Sequence, residues 1–233
     1  MVKITEYRPE DKMISLISND YKLLQVLSRF GISLGFSDKS IMEVCESEGV
    51  DCSTFLTVVN FLNDNKATAP DINNLSLKSL LHYLKQSHVY FLDFYLPSIR
   101  RKLLDGIALK ESDVSFLIIK LFDEYIEAIR EHMEEEEYHL FKQVENVINN
   151  GETILNEEMP VYSKHHEEVG SKLREVKNII IKYCPSDSRA NLLNAALYDI
   201  YRCEEELESH CKVEDMLLLP ALLSKKGIST NLQ

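Results

Sequence analysis

The chain has 233 residues, of which 45% are hydrophobic, and its formal net charge is −12. This length and composition allow a well-buried core in one or two domains. The negative charge disfavours nucleic acid as a partner, because phosphates would be repelled unless a large basic patch intervened. The densest basic run is Arg100-Arg101-Lys102, which reads as a solvated helix end.

The composition favours an all-α protein. Seven glycines, no tryptophan and few alternating apolar runs leave little room for a sheet. The five cysteines are odd in number and form no Cys-x-x-Cys motif, which suits reduced thiols. No apolar run approaches the roughly 18 residues of a membrane span, and the first ten residues lack the apolar core of a secretory signal. We therefore expect a cytoplasmic protein without a membrane segment.

Residues 1–70 are predicted to form a small helical domain. Residues 1–12 read as a polar lead-in. Short amphipathic helices follow, predicted from Asn19 to Gly31, from Ile41 to Glu48 and from Ser53 to Asn63. Ser37 or Asp38 is expected to cap the second helix and Asp51 the third, and Gly49 to end the second. Residues 66–74 lack periodicity and carry turn-forming residues, so they are the predicted linker.

Residues 75–225 are predicted to form an antiparallel, up-down four-helix bundle. Four long segments place apolar residues at spacings of three and four, and short connections make successive helices antiparallel. The apolar stripes begin at Leu77, Leu117, Tyr162 and Leu192. We expect Pro97 to kink the first helix and Pro220 to loosen the last turns of the fourth.

Ionisable side chains occupy core positions in all four stripes. They are His88 on the first helix, His132 and Glu136 on the second, His166 on the third, and His210 and Glu214 on the fourth. A histidine and a glutamate four residues apart on a helix point the same way and can bind one metal ion. The depths of these residues, on the order of 10–20 Å from one end of the bundle, place them near one level. We predict that all six are ligands of a metal site, most simply a dinuclear one.

The donor types narrow the choice of metal. Imidazole and carboxylate suit iron, manganese or zinc, and the shortage of thiolates disfavours structural zinc. Glu136 and Glu214, opposite each other, can bridge two cations whose charge offsets the cost of burying carboxylates. Two iron ions are the preferred interpretation, with manganese or zinc as alternatives. A bundle without metal is the competing hypothesis, and it requires six coincidences of spacing and depth.

Four motifs in chain order carry a family resemblance. They are His88 upstream of Leu96-Pro97, His132-x-x-x-Glu136 before Leu140-Phe141, His166-x-x-x-Gly170, and His210-x-x-x-Glu214 before Leu219-Pro220. This set resembles the hemerythrin-like cation-binding family over about residues 75–225. It is most similar to the repair-of-iron-centres branch, because Gly170 stands where hemerythrin itself has a second histidine. The resemblance implies a di-iron centre with four histidines, two bridging carboxylates and open positions for a small ligand.

Residues 13–65 resemble the small amino-terminal domain of that branch, through Phe30-Gly31-Ile32 and Val44-Cys45-Glu46. That domain carries adjacent cysteines shortly after the Gly-Ile pair, whereas this chain reads Ser33-Leu34-Gly35-Phe36-Ser37. The resemblance implies a role in nitrosative or oxidative stress, with nitric oxide or dioxygen-derived species as ligands. It also implies repair of, or iron supply to, iron–sulfur proteins. A non-enzymatic sensor, carrier or iron-binding protein is the alternative, and whether the chain is an enzyme stays open.

Overall fold

A computed structural model describes residues 6–63, 72, 74–107, 113–151, 162–184 and 188–224, with the side chains of residues 162–171 outside that description. Over these residues the chain is helical and contains no strand, and an isolated bridge joins Lys12 to Ser40. The expected all-α class is confirmed. Within the same residues, no helix is both long enough and apolar enough to cross a membrane.

The helices follow one another along the whole described chain. The α-helices are α1 Met13–Asn19, α2 Leu23–Arg29, α3 Ile41–Glu48, α4 Cys52–Asn63, α5 Leu77–Val89, α6 Leu96–Gly106, α7 Asp113–Glu136, α8 Lys142–Asn150, α9 Tyr162–Tyr183, α10 Ala190–Val213 and α11 Leu219–Ser224. Wider π-helical turns interrupt the long helices at π1 Tyr90–Tyr95, π2 Glu137–Phe141 and π3 Glu214–Leu218.

The chain divides into two compact units. Unit 1 comprises Met1–Ser87, Gln143–Ile154 and Lys212–Gln233, and unit 2 comprises His88–Lys142 and Leu155–Cys211. This division cuts through the long helices, whereas the sequence places a linker near residue 70. The domain boundaries at 1–70 and 75–225 therefore stay a prediction.

Local capping explains where α3 begins and ends, and where α4 begins, in unit 1. Ser40 and Glu43 form a capping box at the start of α3, in which the Ser40 hydroxyl accepts from the Glu43 N–H at 3.2 Å and the Glu43 carboxylate accepts from the Ser40 N–H at 2.7 Å. Ser40 is the cap, in place of the expected Ser37 or Asp38, because only Ser40 has a glutamate three residues later. Gly49 ends α3 with a φ of 68°, and Asp51 accepts from the Thr54 N–H at 2.8 Å, both as predicted.

The first helices of unit 1 differ from their prediction. A single helix from Asn19 to Gly31 was expected. The structure instead has two short helices, α1 from Met13 and α2 from Leu23. Met13 and Leu16 are completely buried, so tertiary burial supports a helix that carries no strong local signal. Further along the unit, Phe30 packs against the rings of Phe55 and Tyr83 at centroid distances of 5.4 and 5.0 Å.

Unit 2 is a bundle of four helical segments around one apolar core. Its buried core residues include Phe91, Ile99 and Leu103 of the first segment, Phe122, Tyr125 and Ile129 of the second, Leu173, Val176 and Ile180 of the third, and Ala196, Ile200 and Cys203 of the fourth. These positions follow helical spacing, as the sequence predicts. The predicted stripe residues Leu117 and Leu192 are instead exposed, because the buried stripe of α7 runs through Ile118 and that of α10 through Leu193.

The first helix of unit 2 runs antiparallel to the second and to the fourth. His88 lies against Glu136, whereas Arg100, further along, pairs with Asp123, which comes earlier on α7. In the same way Phe91 lies near His210, and Gly106 lies against the backbone of Leu193. The predicted up-down order is thereby confirmed for these helices.

Two prolines in the long helices each follow a π-helical turn. Pro97 follows π1 by two residues, and Pro220 follows π3 by two residues. Proline lacks an N–H donor and its ring clashes with the carbonyl four residues earlier, so the preceding turn widens. The expected kink and loosening therefore take the form of π turns. The turn π1 begins two residues after the predicted ligand His88, and π3 begins at the predicted ligand Glu214.

Candidate metal centre

A fully buried carboxylate lies at the centre of the predicted site in unit 2. Glu136 is the last residue of α7, and its exposed fraction is 0%. Burying an ionised carboxylate costs several kcal/mol unless charge and hydrogen bonds compensate for the lost water. The groups that face this carboxylate therefore decide what the site can do.

Three imidazoles face the Glu136 carboxylate with their Nε2 atoms. His132, one turn earlier on α7, places Nε2 2.8 Å from Glu136 Oε1. His88, at the end of α5, places Nε2 3.2 Å from Oε2. His210, near the end of α10, places Nε2 4.0 Å from Oε2. All three histidines are buried, so the site presents nitrogen and oxygen donors in the protein interior.

Three of these residues form a compact donor group. His88, Glu136 and His210 each offer one ligand atom, and these atoms all lie within 4.8 Å of one another. Such a set of two imidazoles and one carboxylate suits a divalent iron, manganese or zinc ion. The structure thus brings together three of the predicted ligands, with His132 against the same carboxylate. Their assignment as ligands remains a prediction.

Two further predicted ligands, His166 and Glu214, are not among the three described residues of this donor group. His166 lies on α9, but its side chain is outside the part of the chain that the structure describes. Glu214 belongs to unit 1, where it is the first residue of π3 and its exposed fraction is 0%. The roles of His166 and Glu214 as ligands also remain predictions.

A comparison with protein families bears directly on this site. The model of the hemerythrin HHE cation-binding domain matches residues 79–222, which is more than half of the chain and includes all six predicted ligands. The chain belongs to the hemerythrin family. No curated protein matches it. Members of this family bind cations, typically iron, so the chain is a hemerythrin-type cation-binding protein.

The residues present fit a metal of the kind that the hemerythrin family binds. Glu136 brings a negative charge into a fully buried position, and the imidazoles around it direct their nitrogens toward that charge. A divalent cation among these donors would balance the carboxylate and accept the nitrogen lone pairs at the same time. His88, Glu136, His210 and His132 are the described residues that would hold it.

The second ring nitrogen of His88 has a partner that the sequence did not indicate. Its Nδ1 lies 2.9 Å from Glu137 Oε1, and its ring stacks on Phe141 at a centroid distance of 5.0 Å. The acidic run Glu134 to Glu137 reads as a solvated face, and the Glu137 side chain is indeed 49% exposed. One of its oxygens nevertheless turns inward. A carboxylate next to a candidate ligand in the sequence is the signal that could have revealed this contact.

These contacts also set the protonation of His88 in the metal-free hemerythrin-type site. Burial lowers the pKa of His88, but hydrogen bonds and charge from Glu136 and Glu137 raise it by more, so the pKa lies above its ordinary value. A metal ion and a proton therefore compete for the same nitrogen.

Proposed function

We propose that this chain is a non-haem di-iron protein of the nitrosative or oxidative stress response. It binds nitric oxide or dioxygen-derived species at the iron and repairs, or supplies iron to, iron–sulfur clusters. The observation that carries the proposal is the buried group of His88, Glu136 and His210. The site of action is the cytoplasm, and iron–sulfur proteins are the partners.

A second iron is supported by the buried carboxylates. Glu136 and Glu214 both have an exposed fraction of 0%, and each buried carboxylate calls for positive charge close to it. Two divalent cations bridged by these residues would supply that charge. His166, on the helix that completes the bundle, is the further nitrogen donor. Manganese or zinc could occupy the same donors where iron is scarce.

The surroundings of the site favour small, uncharged ligands. When bound, the iron ions supply a redox-active centre that can accept a diatomic molecule. Phe141 stacks on His88, and Phe91 lies edge-on to His210 at a centroid distance of 6.2 Å. Both rings have an exposed fraction of 0%, so they exclude bulk water from the histidines. A small neutral molecule such as nitric oxide loses little hydration on entering such a site, whereas an anion or a large substrate would lose much more.

Metal content in matched variants tests the centre. Glu136→Ala and Glu214→Ala should each lose iron, because each removes a predicted bridge. Glu134→Ala is the control, since it removes the same charge from an exposed position two residues before Glu136 on α7. Retention of two irons per chain in both variants would contradict the assignment of Glu136 and Glu214 as bridging ligands.

Repair activity tests the rest of the proposal. The anaerobic, iron-loaded protein should change its absorption spectrum on exposure to nitric oxide. It should also restore activity to an iron–sulfur enzyme that nitric oxide has inactivated. Glu136→Ala should do neither, and Glu134→Ala should do both. If Glu136→Ala restored the inactivated enzyme as well as the intact protein does, repair would not depend on this metal centre.

The second candidate is a non-enzymatic sensor or carrier of oxygen or nitric oxide that uses the same centre. It is favoured by the segment Ser33-Leu34-Gly35-Phe36-Ser37, which lacks the adjacent cysteines of the repair branch. A sensor should change its spectrum with ligand but should not turn ligand over. Sustained consumption of nitric oxide or peroxide with a reductant present would argue against this candidate.

A further inference from the structure

His88 presents its two ring nitrogens to two consecutive glutamates. Its Nε2 lies 3.2 Å from Glu136 Oε2, and its Nδ1 lies 2.9 Å from Glu137 Oε1. The imidazole is only 1% exposed and is stacked on Phe141 with an interplanar angle of 21°. The ring is therefore held at both nitrogens and on one face.

The hydrogen bond to Glu137 determines which nitrogen of His88 carries the proton. An ionised carboxylate only accepts hydrogen bonds, so His88 must donate to it through Nδ1–H. In the neutral ring that metal binding requires, this leaves the lone pair on Nε2, where a metal ion would displace the contact with Glu136 and accept that lone pair. A partner on the second nitrogen also makes a metal-binding imidazole more basic and fixes the plane of its ring.

The position of Glu137 suits an outer partner rather than a ligand. It follows Glu136 directly and is the first residue of π2. Consecutive side chains on a helix point about 100° apart, so the two carboxylates can reach the inner and the outer edge of one ring on the neighbouring helix. Their exposure agrees with this division, because the Glu136 side chain is 0% exposed and that of Glu137 is 49% exposed.

We propose that Glu137 is a positioning residue of the metal centre. It accepts the hydrogen bond from His88 Nδ1, holds the imidazole in the tautomer whose Nε2 can bind the metal, and so strengthens metal binding without being a ligand. This role rests on the metal centre of the proposed function. It adds to that centre a residue that contacts His88 and is not itself a ligand.

Binding of Co²⁺ to the metal-free full chain tests this role, because Co²⁺ accepts the same donors and is followed by its visible absorption. Glu137→Ala should weaken Co²⁺ affinity by about 10–100-fold. Glu137→Gln should show a smaller loss, since its amide oxygen still accepts a hydrogen bond from Nδ1–H. Glu134→Ala should bind as the intact chain does, because it removes the same charge without touching His88. Equal affinities for Glu137→Ala and Glu134→Ala would overturn the role.

A double-mutant cycle shows whether Glu137 acts through His88. In a His88→Ala background, Glu137→Ala should cause no further loss of Co²⁺ affinity, because the ring that Glu137 positions is gone. A loss of the same size in both backgrounds would mean a general effect of charge and would overturn the role.

Two further outcomes separate this inference from the proposed function and from a purely structural contact. Failure of the intact chain to bind Co²⁺ would overturn the metal centre and the role of Glu137 together, whereas the equal affinities named above would overturn the role alone. In thermal unfolding, metal-free Glu137→Ala should melt below metal-free Glu134→Ala, because the buried His88 Nδ1–H loses its partner, but it should still be folded at the temperature of the Co²⁺ titration. If Glu137→Ala were partly unfolded at the titration temperature, and the unfolded fraction explained its whole loss of Co²⁺ affinity, the contact would be purely structural.

Discussion

Replacing Phe141 with alanine tests how the packing of the bundle is coupled to its metal centre. Phe141 has an exposed fraction of 0% and stacks on His88 at 5.0 Å. Phe122 is a matched control, because it is equally buried in unit 2 but has Tyr125, at 6.0 Å, as its ring neighbour. The two substitutions remove the same atoms from comparable surroundings. They differ in whether the lost ring touched a candidate ligand.

The expected losses can be estimated from burial and stacking. Each Phe→Ala change should lower the free energy of unfolding by about 3–5 kcal/mol. For a chain of this size that corresponds to a melting temperature lower by roughly 6–20 °C. The stack on His88 is worth about 0.5–1.5 kcal/mol, so Phe141→Ala should also weaken metal affinity by about 2- to 12-fold. Phe122→Ala should leave affinity unchanged.

Thermal unfolding of the metal-free variants and Co²⁺ titration measure the two effects separately. The expected pattern is a similar loss of stability in both variants and a loss of affinity in Phe141→Ala alone. Equal affinities in the two variants would refute the idea that Phe141 orients His88. An unchanged melting temperature in Phe141→Ala would refute its place in the core.

The remaining predictions concern a helix contact, a helix cap and pH. Gly106→Ala should cost about 1–3 kcal/mol in denaturant unfolding, because a Cβ there would lie 3.0 Å from the backbone nitrogen of Leu193; a variant as stable as the intact chain would contradict this close approach. Ser40→Ala should cost about 1 kcal/mol through loss of the cap on Glu43, and Ser40→Asp should restore most of it; equal stability of Ser40→Ala would refute the cap. Metal affinity should fall as pH decreases, starting above the ordinary histidine range near about 6.5, because the pKa of His88 is raised. The metal-free fold has the opposite dependence, since protonated His88 stabilises it below about pH 6.5 and this contribution is lost as pH rises through the raised pKa; a pH-independent affinity in Co²⁺ titrations would contradict this reasoning.

Features that depend on neighbouring residues in the chain were predictable from the sequence. Helix α3 has the bounds Ile41–Glu48 that were expected, because its end depends on Gly49 and its start on a nearby cap. Helical periodicity also identified the inward positions of His88, Glu136 and His210. In the structure one donor atom from each of these residues lies within 4.8 Å of the other two. The convergence of regularly spaced donor residues from several helices is therefore visible in the pattern, and their role as metal ligands stays a prediction.

Features that depend on how helices meet were less predictable. Leu117 was expected in the core, but it is exposed and Ile118 is buried instead, whereas Tyr125 and Ile129 of the same helix are buried as expected. Which of two adjacent apolar residues is buried at the start of α7 depends on the neighbouring helices. Helix α1 needs the burial of Met13, which no local signal announces. Glu137 belongs to an acidic run that reads as solvated, and its place beside Glu136 hints at an inner contact, but its partner, His88, lies on another helix and is known only from the structure.

The location and number of bound irons test the central claim most directly. A crystal of the iron-loaded protein, with anomalous diffraction recorded at the iron edge, would give both. We predict two iron peaks per chain, one of them bonded to His88, Glu136 or His210, with Glu136 and Glu214 between the two. The absence of any peak at these residues, or iron bound only elsewhere, would contradict the account.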